Sequence, residues 1–232
     1  MNIEPIMSQP PNFLNDDGTA SMATMLLLSH HAFRRDIARF IRAAAEIKAG
    51  DASRAEAVRN EWEKSYRKAL HGHHTMEDMN IFPDIRKKYP NLAPALDKLT
   101  EQHHKIDPLI ERGDKAFADL AHPENVETVF AELKTLLDEH LTFEEAQITP
   151  SLRDIKEFPA PADNDKAKMS AQGFAWSMQG IAPEVLDQVR KLLPDILLEK
   201  LPAAQTEFDV RTEQVWGKYI VGSATTPVPR GY

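Results

Sequence analysis

Two segments of the chain share one pattern: "HHTMEDMNIFP" (73–83) and "HLTFEEAQITP" (140–150). In each, a His stands four residues before a Glu, and that Glu stands six before a Pro. Two shorter stretches, "HHAF" (30–33) and "HHKI" (103–106), repeat in the same way. The order is the same both times, so the chain reads as two similar helix pairs. The surrounding periodicity agrees. Met22, Leu26, His30, Phe33, Ile37 and Ile41 recur at steps of three and four, as on one face of a helix from about Thr19 to Lys48. Ser53 with Glu56 matches a capping box for a second helix bearing Trp62, Tyr66, Ala69, His73 and Glu77, which Pro83 should kink or end. A third runs from roughly Leu92 to Leu120 with Leu96, Leu99, His103, Ile106 and Ile110 on one stripe and a bend at Pro108. The fourth carries Val126, Phe130, Leu133, Leu137, His140 and Glu144 up to Pro150.

Four amphipathic helices with short connections, and no sustained strand alternation, predict an all-α fold: an up-down-up-down four-helix bundle over 19–156. Residues 1–18 read as a flexible arm, 157–172 as a linker, 173–222 as a short helical C-terminal extension and 223–232 as a disordered tail. The net charge of −8 argues against a nucleic-acid partner, which would need clustered Lys and Arg. The longest strongly apolar run, Met25 to Leu28, is far too short for a membrane span, and the first twenty residues lack a signal-peptide pattern. With no Cys there is no disulfide and no thiolate metal site, which fits a cytoplasmic protein and leaves any transition metal to His and carboxylate.

The repeated spacing has chemical content. Residues i and i+4 share a helix face about 6 Å apart along the axis, so an imidazole and a carboxylate placed so can reach one ion. Two such helices facing each other bring two carboxylates to a space where each can bridge two cations. One His from each remaining helix completes the candidate metal ligands: His30, His73, Glu77, His103, His140 and Glu144. Neighbours on a helix point about 100° apart, so one member of each His doublet is expected on the buried stripe. His30, His73 and His103 lie on the apolar lines; His31, His71, His74, His104 and His122 are expected at the surface or beside the ligands, with His74 paired to Asp78. Taken singly, an HxxxE is usually a surface pair and a lone stripe His a satisfied core residue. Four buried His and two buried Glu without a cation would leave buried charge unpaired, which costs several kcal/mol per ion.

At these residues, over about 20–155, the sequence resembles the hemerythrin-like, HHE cation-binding family, in its bacterial form. "IAPEVLDQVRKLLP" (181–194), in the stretch Phe174 to Gly217, is also similar to an extension of bacterial relatives. The resemblance implies a non-haem di-iron centre in a four-helix bundle. It departs at one place. Respiratory hemerythrins carry a second His one turn after the third-helix ligand, where this chain has Asp107. Three roles are open to Asp107: to ligate, to hydrogen-bond an imidazole, or to face away; His74 is a further candidate as an additional ligand or a partner of one. The Cys-bearing amino-terminal module of iron–sulfur repair relatives is missing from this sequence.

With two His per ion and both Glu bridging, an oxo or hydroxo bridge leaves about one open position on each iron. Manganese and zinc also suit the donor types. Phe33, Ile106 and Phe143 are candidates for an apolar wall around the opening. The expected activity is binding of O₂ or a related small ligand, NO or peroxide. The alternatives are an enzyme decomposing hydrogen peroxide or handling NO, a metal-dependent sensor or regulatory protein with an unidentified protein partner, and a bundle around a structural metal. No nucleic acid and no membrane is expected as a partner.

Overall fold

A computed structural model describes residues 12–119 and 122–217. The expected tail at 223–232, and the first part of the expected arm, lie outside the described residues. Every regular element among them is helical. Four rods carry the repeated motifs. The first is α1 (Met22–Lys48). The second, residues 55–88, is segmented: α2 (Ala55–Glu61), a π turn at Trp62–Tyr66, α3 (Arg67–Met76), a second π turn at Glu77–Ile81 and α4 (Phe82–Lys88). The third is α5 (Ala93–Ala118). The fourth is α6 (Pro123–Gln147), followed by the short α7 (Thr149–Leu152).

Several expectations need correction at the ends of these rods. The second rod is interrupted by a π turn just before Pro83 and then continues to Lys88, so of the two outcomes expected at Pro83 an end does not occur. The Phe82 N–H reaches back to Glu77 O, and α4 begins anew with Pro83 in its first turn. Pro83 falls where the π turn hands over to α4, in the first turn of that segment, where a proline is tolerated. The Ser53–Glu56 capping box is also absent. The rod begins at Ala55, and Ser53 Oγ donates instead to Asp51 Oδ1 at 2.6 Å. A box does form at α1, where the Ser21 N–H donates to Thr24 Oγ1 at 3.0 Å. α5 runs through Pro108 to Ala118.

The His and Glu side chains form a polar layer that divides the apolar core. One cluster contains Phe33, Phe40, Trp62, Tyr66, Leu70, Ile106, Phe130 and Leu141. The other is smaller and contains Leu26, Phe82, Leu96, Leu99 and Ile148. Trp62 packs directly over Gly113, where a Cβ would come 2.6 Å from the indole Cζ2, so the second and third rods meet closely there.

The C-terminal extension starts earlier than expected. Residues 164–172, read as linker, belong to α8 (Asn164–Ser177). Asp163 caps this helix by accepting from the Lys166 N–H at 2.8 Å, and the small Ala167 and Ala171 are its buried face. Small residues carry a weak apolar signal, which is why the composition looked like linker. α9 (Pro183–Leu192) and α10 (Asp195–Trp216) follow, α10 lying along α8 and touching α2. Residues 12–18 of the expected arm are tied down. Phe13 and Leu14 pack on the core, and Arg153 donates to Leu14 O at 2.9 Å. No helix among the described residues is long and apolar enough to cross a membrane.

Candidate metal centre

Each rod delivers part of the polar layer: α1 His30; the second rod His73, His74 and Glu77; α5 His103; α6 His140 and Glu144. All six expected ligands converge. His30 Nε2 lies 3.2 Å from Glu144 Oε2, and His73 Nε2 lies 3.0 Å from Glu77 Oε1. His103 Nε2 is 3.4 Å from Glu77 Oε2, and His140 Nε2 is 3.8 Å from Glu144 Oε2. The ligand atoms fall into two groups, each within 4.8 Å: His30, His73, Glu77 and Glu144, and His74, His103 and His140. Glu77 touches both, with Oε1 toward His73 and Oε2 toward His103.

His74 is the difference from the expectation. It is 3% exposed, its ring stacks 4.1 Å from that of His103, and it faces His140 at 5.3 Å. The rule that only one member of a doublet can be buried fails because the second rod lies between two others. His73 turns toward His30 on α1, with ring centroids 5.4 Å apart, while His74 turns toward α5. An arc of about 100° is the width of an ordinary buried face, so both residues stay within it. Asp78 does not lie with His74; it hydrogen-bonds His103 Nδ1 at 2.9 Å. Asp107 is half-buried and is in neither converging group. His71, His104 and His122 are exposed, as expected, and His31 is half-buried, its Nε2–H donating to Gln179 O at 3.2 Å.

Phe33 forms part of the wall, its ring 5.1 Å from that of His73, and Ile106 belongs to the same cluster. Phe143 stands on the other side of the layer, packed against the smaller cluster with Lys98 Nζ 4.0 Å from its ring centroid. Trp176, from α8, stacks edge-on against Phe33 at 5.0 Å, so the extension reaches the wall of the site. His73 is the most open of the seven side chains, at 14% exposure.

The layer's polar atoms fit a bound cation. Buried and without hydrogen-bond partners are Nε2 of His30, His73, His103 and His140, both ring nitrogens of His74, both oxygens of Glu77 and Oε2 of Glu144. Leaving so many buried polar atoms unpaired costs about 1–3 kcal/mol each, which cations at their meeting point would offset. Electrostatics leave three of the imidazoles ready for a cation. Burial and the neighbouring His30 push His73 down to about 3, and burial holds His140 at about 3 against the pull of Glu144. Burial, with His103 beside it, also depresses His74. These imidazoles are neutral donors at neutral pH and need release no proton to bind. His30 is raised, because Glu144 and Glu145 outweigh its burial. Burial and then Glu144 raise Glu77; Glu144 itself is lowered, since His30, His73 and His140 outweigh its burial.

Asp78, Glu145 and Gln102 escaped notice in the sequence as partners of the ring nitrogens facing away from the layer. One signal was available: the residue after each repeated Glu is acidic in both halves, Asp78 and Glu145.

No curated protein and no solved structure matches the chain. The family model for the hemerythrin HHE cation-binding domain matches residues 21–152, which span all four rods and every converging side chain. The chain belongs to the hemerythrin HHE cation-binding domain family.

Proposed function

We propose that the chain is a non-haem di-iron protein that binds O₂ or a related small ligand between the four rods. The observation that carries this reading is the convergence of buried, unpartnered nitrogen and oxygen atoms from His30, His73, His74, Glu77, His103, His140 and Glu144. In this reading the rods run up-down-up-down and the protein is cytoplasmic. His30 and His73 hold one ion, His74, His103 and His140 the other, and Glu77 and Glu144 join them. Two ferrous ions would supply the electrons and the vacant position that binding O₂ or peroxide requires. Manganese or zinc is compatible with the same donors, and iron is the assignment their mixture favours.

The two ends of the centre are unequal. The end of His74, His103 and His140 would supply three imidazoles to a metal, and the end of His30 and His73 only two. A small ligand would therefore bind at the end of His30 and His73, and His73 is the most exposed of the seven side chains. Phe33, with Trp176 behind it, closes that side with apolar surface, which admits a small uncharged molecule and excludes ordered water.

The test is metal content of protein purified from iron-supplied cells, with its absorption spectrum recorded before and after air. About two irons per chain and a charge-transfer band that appears and reverses with O₂ support binding. Steady consumption of added hydrogen peroxide would assign the enzyme instead. One zinc per chain with no spectral response would overturn the di-iron reading.

A further inference from the structure

The two halves of the repeat share a second device. Glu77 is followed by Asp78, and Glu144 by Glu145. Asp78 Oδ2 is 2.9 Å from His103 Nδ1, and Glu145 Oε1 is 2.9 Å from His30 Nδ1. The second rod thus serves the third, and the fourth serves the first, as the repeat requires. Each carboxylate is itself held. The Thr100 hydroxyl donates to Asp78 Oδ1 at 2.7 Å, and Arg34 donates to Glu145 Oε1.

An ionised carboxylate only accepts, so the hydrogen of each ring must sit on Nδ1. That fixes the tautomer and leaves the lone pair on Nε2. In both residues Nε2 is the buried atom without a partner, aimed into the polar layer. We propose that Asp78 and Glu145 are a matched pair of positioning residues, each holding one ligand imidazole, His103 or His30, in the tautomer and orientation that bind the cation. This rests on the metal-binding reading of the layer. Such carboxylates raise the donor strength of the imidazole they hold, and losing one commonly weakens metal binding about 10–100-fold. The pair is unequal in charge. Arg34 neutralises Glu145, whereas Asp78 meets a hydroxyl and an imidazole. Asp78 therefore polarises its imidazole more, and the ion of His103 is the more tightly held.

Asp78→Asn and Glu145→Gln keep shape and an accepting oxygen while removing the charge. The probe is Co²⁺, titrated into metal-free full-length protein against a chelator and followed by its visible bands. Each variant is expected to weaken one of two Co²⁺ sites about 10-fold or more, Asp78→Asn the more, with melting of the metal-free protein little changed. Glu101→Gln, which alters only a surface pair with Lys105, is the control. Asp78→Glu and Glu145→Asp should restore part of the affinity. Imidazole ¹⁵N shifts of the Zn²⁺-loaded parent should show His30 and His103 protonated at Nδ1, a readout that stands even if a variant fails to fold. Variants that bind both Co²⁺ ions as tightly as the parent, or imidazoles protonated at Nε2, would overturn the positioning role while leaving the metal centre intact. A parent that takes up no cation would overturn the metal centre and this inference together.

Discussion

The first helix pair, 22–88, and the second, 93–147, start from one pattern and end as different structures. His74 in "HHTMED" corresponds to Leu141 in "HLTFEE". Leu141 is wholly buried in the larger apolar cluster, while His74 brings two unpartnered nitrogens into the polar layer. Pro83 and Pro150 stand at equal distances from their Glu, yet the second rod passes Pro83 through a π turn and the fourth breaks at Ile148. The extension is unequal too. Arg35 and Asp36 of α1 hold α8, and their counterparts in α5 are Pro108 and Leu109. The shared positions build the symmetric skeleton of the centre. The departures give it a third imidazole at one end and a covered wall at the other. π turns are rare and cluster at functional sites, as the one beginning at Glu77 does here.

Glu77 and Glu144 each touch both groups, and Glu77 should matter most because its two oxygens reach one group each. Glu77→Ala removes a carboxylate that reaches both His73 and His103, so bound metal should fall to near none. Metal analysis checks this, and a variant that keeps both ions would dissolve the division into two linked groups. Next in size is Asp36→Ala. It leaves Arg35 and Arg39 buried without the carboxylate they share, and should cost about 3–5 kcal/mol in denaturant unfolding. A loss below about 1 kcal/mol would mean that the extension is not what distinguishes the first pair.

Making the halves alike is a sharper test. His74→Leu should weaken the cation of His103 and His140 by roughly 100-fold or more if the third imidazole is a ligand, since one metal–nitrogen bond is worth more than a lost orienting partner. The same change should stabilise the metal-free protein by about 1–3 kcal/mol, because two unsatisfied buried nitrogens disappear. Opposite signs in loaded and metal-free protein are the signature. A fall in metal-free stability with unchanged metal binding would return His74 to an ordinary core role.

The positions of the four rods and the meeting of the six expected side chains between them were legible because helical periodicity and an internal repeat are both local signals. His74 was not, since its burial depends on α5 standing opposite α1 across the second rod, a tertiary fact. The passage through Pro83 was hidden for a related reason. Nothing in "MNIFP" announces that Phe82 will reach back to Glu77. α8 was missed because Ala167 and Ala171 give it a buried face without bulky residues. Phe143 was placed with Phe33 on composition alone, and only the packing shows that the polar layer separates them.

The smallest expected effect is a pH dependence confined to the covered pair. Asp36 accepts from Arg35 Nε at 2.8 Å, from Arg39 at 2.8 Å and from the Trp176 Nε1–H at 2.7 Å. Burial acts to raise it, but Arg35 and Arg39 outweigh burial and hold it at about 2, against 3.8 when free. A carboxylate lowered on folding contributes stability that is fully present above its unfolded value and is lost as pH falls through its folded one. The contribution is roughly 2 kcal/mol and should vanish between about pH 4 and pH 2. It is localised where α8 meets α1. Amide-exchange protection in 164–177 should therefore fall across that window ahead of protection in 123–147, on α6. Asp36→Asn should flatten this difference. Simultaneous loss in both segments would show that acid unfolds the bundle as one body, and that the C-terminal helices do not set the first pair apart in stability.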